Sequence, residues 1–184
     1  VQNELNEEKY KIYDRTFSAK FANKKGLVWG GTLFVVILIA FRIVWGGRDG
    51  EMMELLWMAL TVIVFFFLHE LLHALGYIVA GKVKPGDVKL GVMWKSVTPY
   101  AHCRVPIRAG AYRFAVMLPV VLGVGPLAYA FLTGSHFWMM VGTILLVGSI
   151  GDWLIIRSIE EFERDALVED HPSEIGCRVY VKRA

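Results

Sequence analysis

Cysteine is scarce. The 184 residues hold only Cys103 and Cys177, far apart and outside any CxxC pair. That excludes a disulfide framework and a cysteine-based zinc site, and leaves two free thiols as the expectation. Charge of one sign is also lacking. A net charge of +3, with no DNA- or RNA-reading motif, excludes a nucleic-acid binder. No internal repeat and no low-complexity tract is present. The N-terminus opens on a long mixed-charge stretch before any apolar run, which does not read as a cleaved signal peptide. The length suits one domain and is too short for two large ones.

Apolar residues are abundant and segregated. They make up 55% of the chain against 20% charged, and the charges gather at the two ends and in one central loop. Such blocks belong in a bilayer. Four apolar segments run roughly from Leu27 to Trp45, Met52 to Ala80, Phe114 to Leu132 and Phe137 to Ile156. Each is near or above the ~20 residues that a helix needs to cross about 30 Å of hydrocarbon.

The connections differ. Gly46 to Gly50 and Gly134-Ser135-His136 read as tight turns. Gly81 to Arg113 is long, basic and polar, with strand-like alternation around Val88 to Trp94 and Val97 to Ile107, punctuated by Pro85-Gly86, Pro99 and Pro106. The expected fold is an all-α membrane protein of about four transmembrane helices, with a polar, partly β loop between helices 2 and 3. The expected divisions are an N-terminal segment 1–26, a membrane domain 27–157 and a tail 158–184. The tail reads as a charged helix (Glu160, Glu161, Glu163, Arg164, Asp165) followed by a strand at Arg178 to Lys182.

Basic residues set the expected orientation. Six lie in the N-terminal segment, seven in Gly81–Arg113 and five from Arg157 onward, whereas the tight turns carry only Arg48, with Arg42 nearby. Four spans with both termini cytoplasmic, in the cell membrane, put all three basic stretches on one side.

The chemistry is concentrated at His69-Glu70-Leu71-Leu72-His73. On a helix, residues four apart share a face and lie about 6 Å apart along the axis. Two imidazoles so placed can bind one Zn²⁺. Glu70 lies near the same face and can serve as general base toward a water whose pKa zinc lowers to about 7. H-E-x-x-H also occurs by chance in soluble helices. Here it sits between Phe65-Phe66-Phe67-Leu68 and Ala74-Leu75-Gly76-Tyr77. Three ionisable groups at that depth are costly without a metal to satisfy them.

Zinc usually takes three protein ligands. Asp152 is the acidic residue inside another apolar span, and its distance from Arg157 agrees within a turn or two with that of His73 from Gly81–Lys82. Gly148, Ser149 and Gly151 would let its helix approach closely. The bland alternative is a lone carboxylate paired with Arg157. Glu160 and Glu161 are second-choice ligands, His102 and His136 weaker ones, and His171 reads as a surface residue.

Together these features resemble the site-2 protease class of intramembrane metalloproteases, in which one helix carries H-E-x-x-H and a later helix supplies an aspartate. The chain looks closest to small bacterial membrane proteins described as zincin peptidases. The resemblance covers His69 to His73, the Pro-containing third span and Gly151-Asp152, across about the last 120 residues. It implies a zinc protease that cuts transmembrane or membrane-adjacent peptides, with a β-structured stretch such as Val88 to Ile107 presenting an edge to an extended substrate. The chain departs from the class in two ways. Its aspartate is preceded rather than followed by glycine, and its third span has Pro119 and Pro126 but no asparagine. The oxyanion stabiliser is therefore unassigned; Tyr77, one turn past His73, is a candidate whose plainer role is packing. The competing function is a non-catalytic membrane scaffold or metal-binding regulator that keeps the fold. Glu70 favours catalysis, because a structural zinc site needs no general base. The partners expected are the lipid bilayer and a membrane protein or peptide substrate, with no nucleic acid.

Overall fold

The computed structural model describes residues 9–47, 52–93 and 98–183. Four helical stretches are long and apolar enough to cross a membrane: Ala19–Trp45, Met52–Val79, Ala109–Thr133 and His136–Ser158. By length and composition the chain is a multi-pass membrane protein. The first span, α1 (Ala19–Trp45), is capped by Ser18, whose hydroxyl accepts the Phe21 N–H at 3.2 Å, and it ends at Gly46. It starts two turns before Leu27. Lys20, Lys24 and Lys25 conceal those turns in the sequence, because a helix end outside hydrocarbon needs no apolar pattern. The second span is α2 (Met52–Val79).

Each later span contains a joint. The third comprises α3 (Ala109–Met117), a tight 3-10 turn at Leu118–Val120 and α4 (Val121–Thr133). Pro119, which has no N–H to donate, sits in that turn. The fourth comprises α5 (His136–Gly148) and α6 (Ile150–Ser158), meeting at Ser149. Between the last two spans lies the expected tight turn. Gly134 takes a left-handed φ of 75° and Ser135 caps α5. Of the other expected turn, residues 48–50 lie outside the described residues.

The loop after α2 holds an antiparallel hairpin, β2 (Val88–Met93) and β3 (Thr98–Cys103), in register Val88↔Cys103. Trp94 and Val97, expected at the strand ends, lie outside the described residues. A short strand β4 (Ile107–Arg108) then joins a second sheet with β5 (Leu167–Asp170), β6 (Ile175–Lys182) and β1 (Tyr10–Phe17). Its order is β1-β6-β5-β4, antiparallel throughout. The fold is thus mostly helical with four apolar spans, as expected, and carries small sheets.

The expected charged helix of the tail is a correction. Helix α6 stops at Ser158 and turns follow. Arg113 of α3 donates to the carbonyls of Ile159 (2.5 Å) and Phe162 (2.7 Å), and the Ile159 carbonyl also accepts the Phe162 N–H in a turn at 3.2 Å, so a side chain and a turn replace the next helical turn.

The sheet is buried against α3 and the end of α2. Tyr77, Ile107, Tyr112, Ala115, Ile159, Val168 and Val179 form this core. Helices α2 and α3 nearly touch: a Cβ on Gly76 would fall 2.6 Å from the Ala115 Cα. A second, smaller core of Ile37, Phe41, Ala130 and Met139 closes the other end of the bundle.

Candidate metal centre

The C-terminal half of α2 brings His69, Glu70 and His73 to one place, as helical spacing requires. The two imidazole centres lie 4.7 Å apart. Ligand atoms of these three residues all fall within 4.8 Å of one another, a group able to hold a metal ion. Both histidines are buried, at 7% and 6% exposure, although most of α2 faces outward.

Asp152 arrives from the opposite helix. The joint at Ser149 places it in the first turn of α6, where unpaired backbone N–H groups favour a carboxylate. Its Oδ2 lies 3.1 Å from His69 Nε2 and its Oδ1 lies 3.4 Å from His73 Nε2. Ligands at 2.0–2.1 Å around a tetrahedral zinc ion are themselves about 3.3 Å apart. Two imidazoles and a carboxylate are zinc donors by chemistry, and the two nitrogen-to-oxygen separations are close to that value. Each carboxylate oxygen faces one imidazole, and the Nε2 atoms converge.

The orientation of His73 has a visible cause. Its Nδ1–H donates to the Ala115 carbonyl at 3.1 Å, which leaves Nε2 as the ligating nitrogen. The close approach at Gly76 brings that carbonyl within reach. Glu70 lies beside the hairpin, with the Ala101 N–H of β3 close enough to favour its carboxylate. Neither Ala115 nor Ala101 was legible as a site residue, since a backbone carbonyl or amide leaves no signature in the side-chain pattern.

The other candidates are placed elsewhere. Glu160 pairs with Arg157 at 2.5 Å, and Glu161 pairs with Arg15. His136 sits at the far end of the bundle, 3.4 Å from the Gly46 carbonyl and edge-on to Phe41. His171 accepts the Glu174 N–H at 3.0 Å and lies 3.9 Å from Asp14. His102 is paired with Lys89 across the hairpin. Tyr77 is 3% exposed and packs between His73 and Tyr112.

Behind the centre lies a polar group that the sequence reading missed. Asp170 of β5 accepts the Tyr112 hydroxyl at 2.5 Å and the Cys103 N–H at 2.6 Å. It thereby ties the sheet, α3 and the hairpin together. Burial pushes its carboxyl above the ordinary range and pushes the Cys103 and Cys177 thiols up to about 12. A carboxylate in a polar tail gave no hint of burial.

No curated protein and no solved structure matches the chain. Residues 62–167 match a family described as "putative zincin peptidase". That stretch covers more than half of the chain and includes His69, Glu70, His73 and Asp152, so the chain belongs to this zincin-like peptidase family.

Proposed function

We propose that the protein is a zinc-dependent endopeptidase of the site-2 protease class, hydrolysing peptide bonds of membrane proteins or peptides within or at the surface of the bilayer. The observation that carries this reading is the convergence of His69, His73 and Asp152 from two apolar spans, with Glu70 alongside. A purely structural ion would have no use for that fourth group.

Zinc held by His69, His73 and Asp152 would supply Lewis-acid activation of a water and of the scissile carbonyl. Glu70 would take the proton from the attacking water and deliver it to the departing amine. The Ala101 N–H would orient Glu70, and the Ala115 carbonyl would hold His73 in the ligating tautomer. An edge of the β2–β3 hairpin would take the substrate as an added strand, straightening it beside Glu70. The excess of Lys and Arg in the two ends and the central loop supports a topology with both termini in the cytoplasm.

The test is metal content measured beside cleavage. The purified full-length chain should carry about one zinc. His69→Ala and His73→Ala should lose it, and Asp152→Asn should weaken it markedly. Glu70→Gln should keep the metal and lose turnover of a membrane substrate. Zinc retained after both histidine replacements would reject the centre, and unchanged turnover in Glu70→Gln would reject the base.

A further inference from the structure

We propose that a groove on the flank of the bundle, between α1 and α6, binds one anionic phospholipid. Trp29, Leu33, Met117, Leu146, Ile150 and Trp153 line an open hollow of about 360 Å³. All lie in membrane-spanning helices, and the lining is almost wholly apolar. That volume is at the small end for ligand sites. It suits an acyl chain rather than a helix, whose diameter with side chains is about 10–12 Å.

The end of the groove names the headgroup. Trp29 and Trp153 meet edge to face, 4.9 Å between ring centres. The Lys25 ammonium lies 4.6 Å from the centre of the Trp29 ring. The Arg157 guanidinium lies 5.9 Å from the centre of the Trp153 ring. Lys25 is one turn nearer the start of α1 than Trp29, and Arg157 one turn nearer the end of α6 than Trp153. Those two helix ends run into strands of one sheet, so both cations sit at the same end of the bundle. Leu33 and Leu146 lie in the opposite direction.

The order along the groove is therefore cation, indole, aliphatic. A phospholipid presents phosphate, ester and acyl chain in the same order. Indoles favour the ester level of a bilayer, and cations just beyond it attract anionic lipid. Arg157 shares its charge with Glu160 at 2.5 Å. Among the described residues no carboxylate is paired with Lys25, which makes it the principal headgroup contact. Ile150 and Trp153 flank Asp152 on α6, so a lipid seated here would also brace the helix that carries that carboxylate.

The experiment needs no peptidase activity. The delipidated full-length chain in detergent is titrated with phosphatidylglycerol or phosphatidylcholine of identical acyl chains, and the bound lipid is counted by native mass spectrometry. One phosphatidylglycerol should be held in preference to phosphatidylcholine. Lys25→Gln should erase about fivefold of that preference, whereas Lys24→Gln should leave it unchanged. Leu33→Trp and Met117→Phe, each filling the groove, should reduce binding of both lipids while circular dichroism stays native. Equal retention of the two lipids by the unmodified chain would overturn the proposal. So would equal losses in the two lysine variants, undiminished lipid in both filled variants, or displacement of the lipid by inorganic phosphate.

Discussion

Asp170 shows how one residue can carry an energetic role that its position in the chain conceals. It is a carboxylate held between the Tyr112 hydroxyl and the Cys103 amide, and desolvation raises its pKa above 3.8. An acid raised in the folded state binds its proton more tightly there than in the unfolded chain. Its favourable contribution is complete below about pH 4 and is lost as pH rises through the folded value. Asp170→Asn, which cannot ionise, should flatten that part of the profile. Melting temperature of the purified chain from pH 4 to pH 8 would show it, and parallel profiles for the two proteins would count against the assignment. His69, Glu70 and His73 were readable because their meaning lies in spacing along one helix. Asp152 was readable because a carboxylate inside an apolar run is conspicuous. Asp170 was not, since its neighbours in sequence are polar and its burial depends on strands far away in the chain.

At the scale of elements, the contact between α2 and α3 governs the centre. Gly76 lets the two backbones meet, and the same contact puts the Ala115 carbonyl on His73. Gly76→Val should lower stability by about 1–3 kcal/mol, the usual range for forcing bulk into a packed interface. It should also weaken zinc retention, because the carbonyl would move off the imidazole. Metal content and melting temperature measured together test this, and a destabilised variant with undiminished zinc would uncouple the two effects. The four spans were legible since runs of about twenty predominantly apolar residues have few other fates. The joint in the third span was foreshadowed by Pro119. The joint at Ser149 was not, because small residues signal close packing as readily as a break. The tail was misread as a helix for a related reason. Its charges suit a solvated helix, whereas the side chain of Arg113, arriving from α3, and two turn hydrogen bonds engage its carbonyls instead.

The whole molecule is organised by the four-stranded sheet. Its strands come from before α1, from between α2 and α3, and from after α6. A hydrogen-bonded sheet cannot straddle a bilayer, so these three stretches lie on one side of the four spans. The distribution of Lys and Arg implies the same grouping by an independent route. The hairpin was visible in the sequence as local alternation. The larger sheet was not, since β1 and β6 pair across nearly the entire chain and neither strand announces its partner.

That pairing gives the chain a property of a ring. Strands β1 and β6 are matched over eight positions from Tyr10↔Lys182 to Phe17↔Ile175, and the only link between the third and fourth spans is the turn at Gly134. A cut at that turn would leave two pieces, 1–134 and 135–184, still clasped at the opposite end and along α4 and α5. Co-produced from separate messages, they should be recovered together through a tag on either piece, with the metal centre assembled from both. A second piece shortened to end at Asp170, and so lacking β6, should be recovered far less completely.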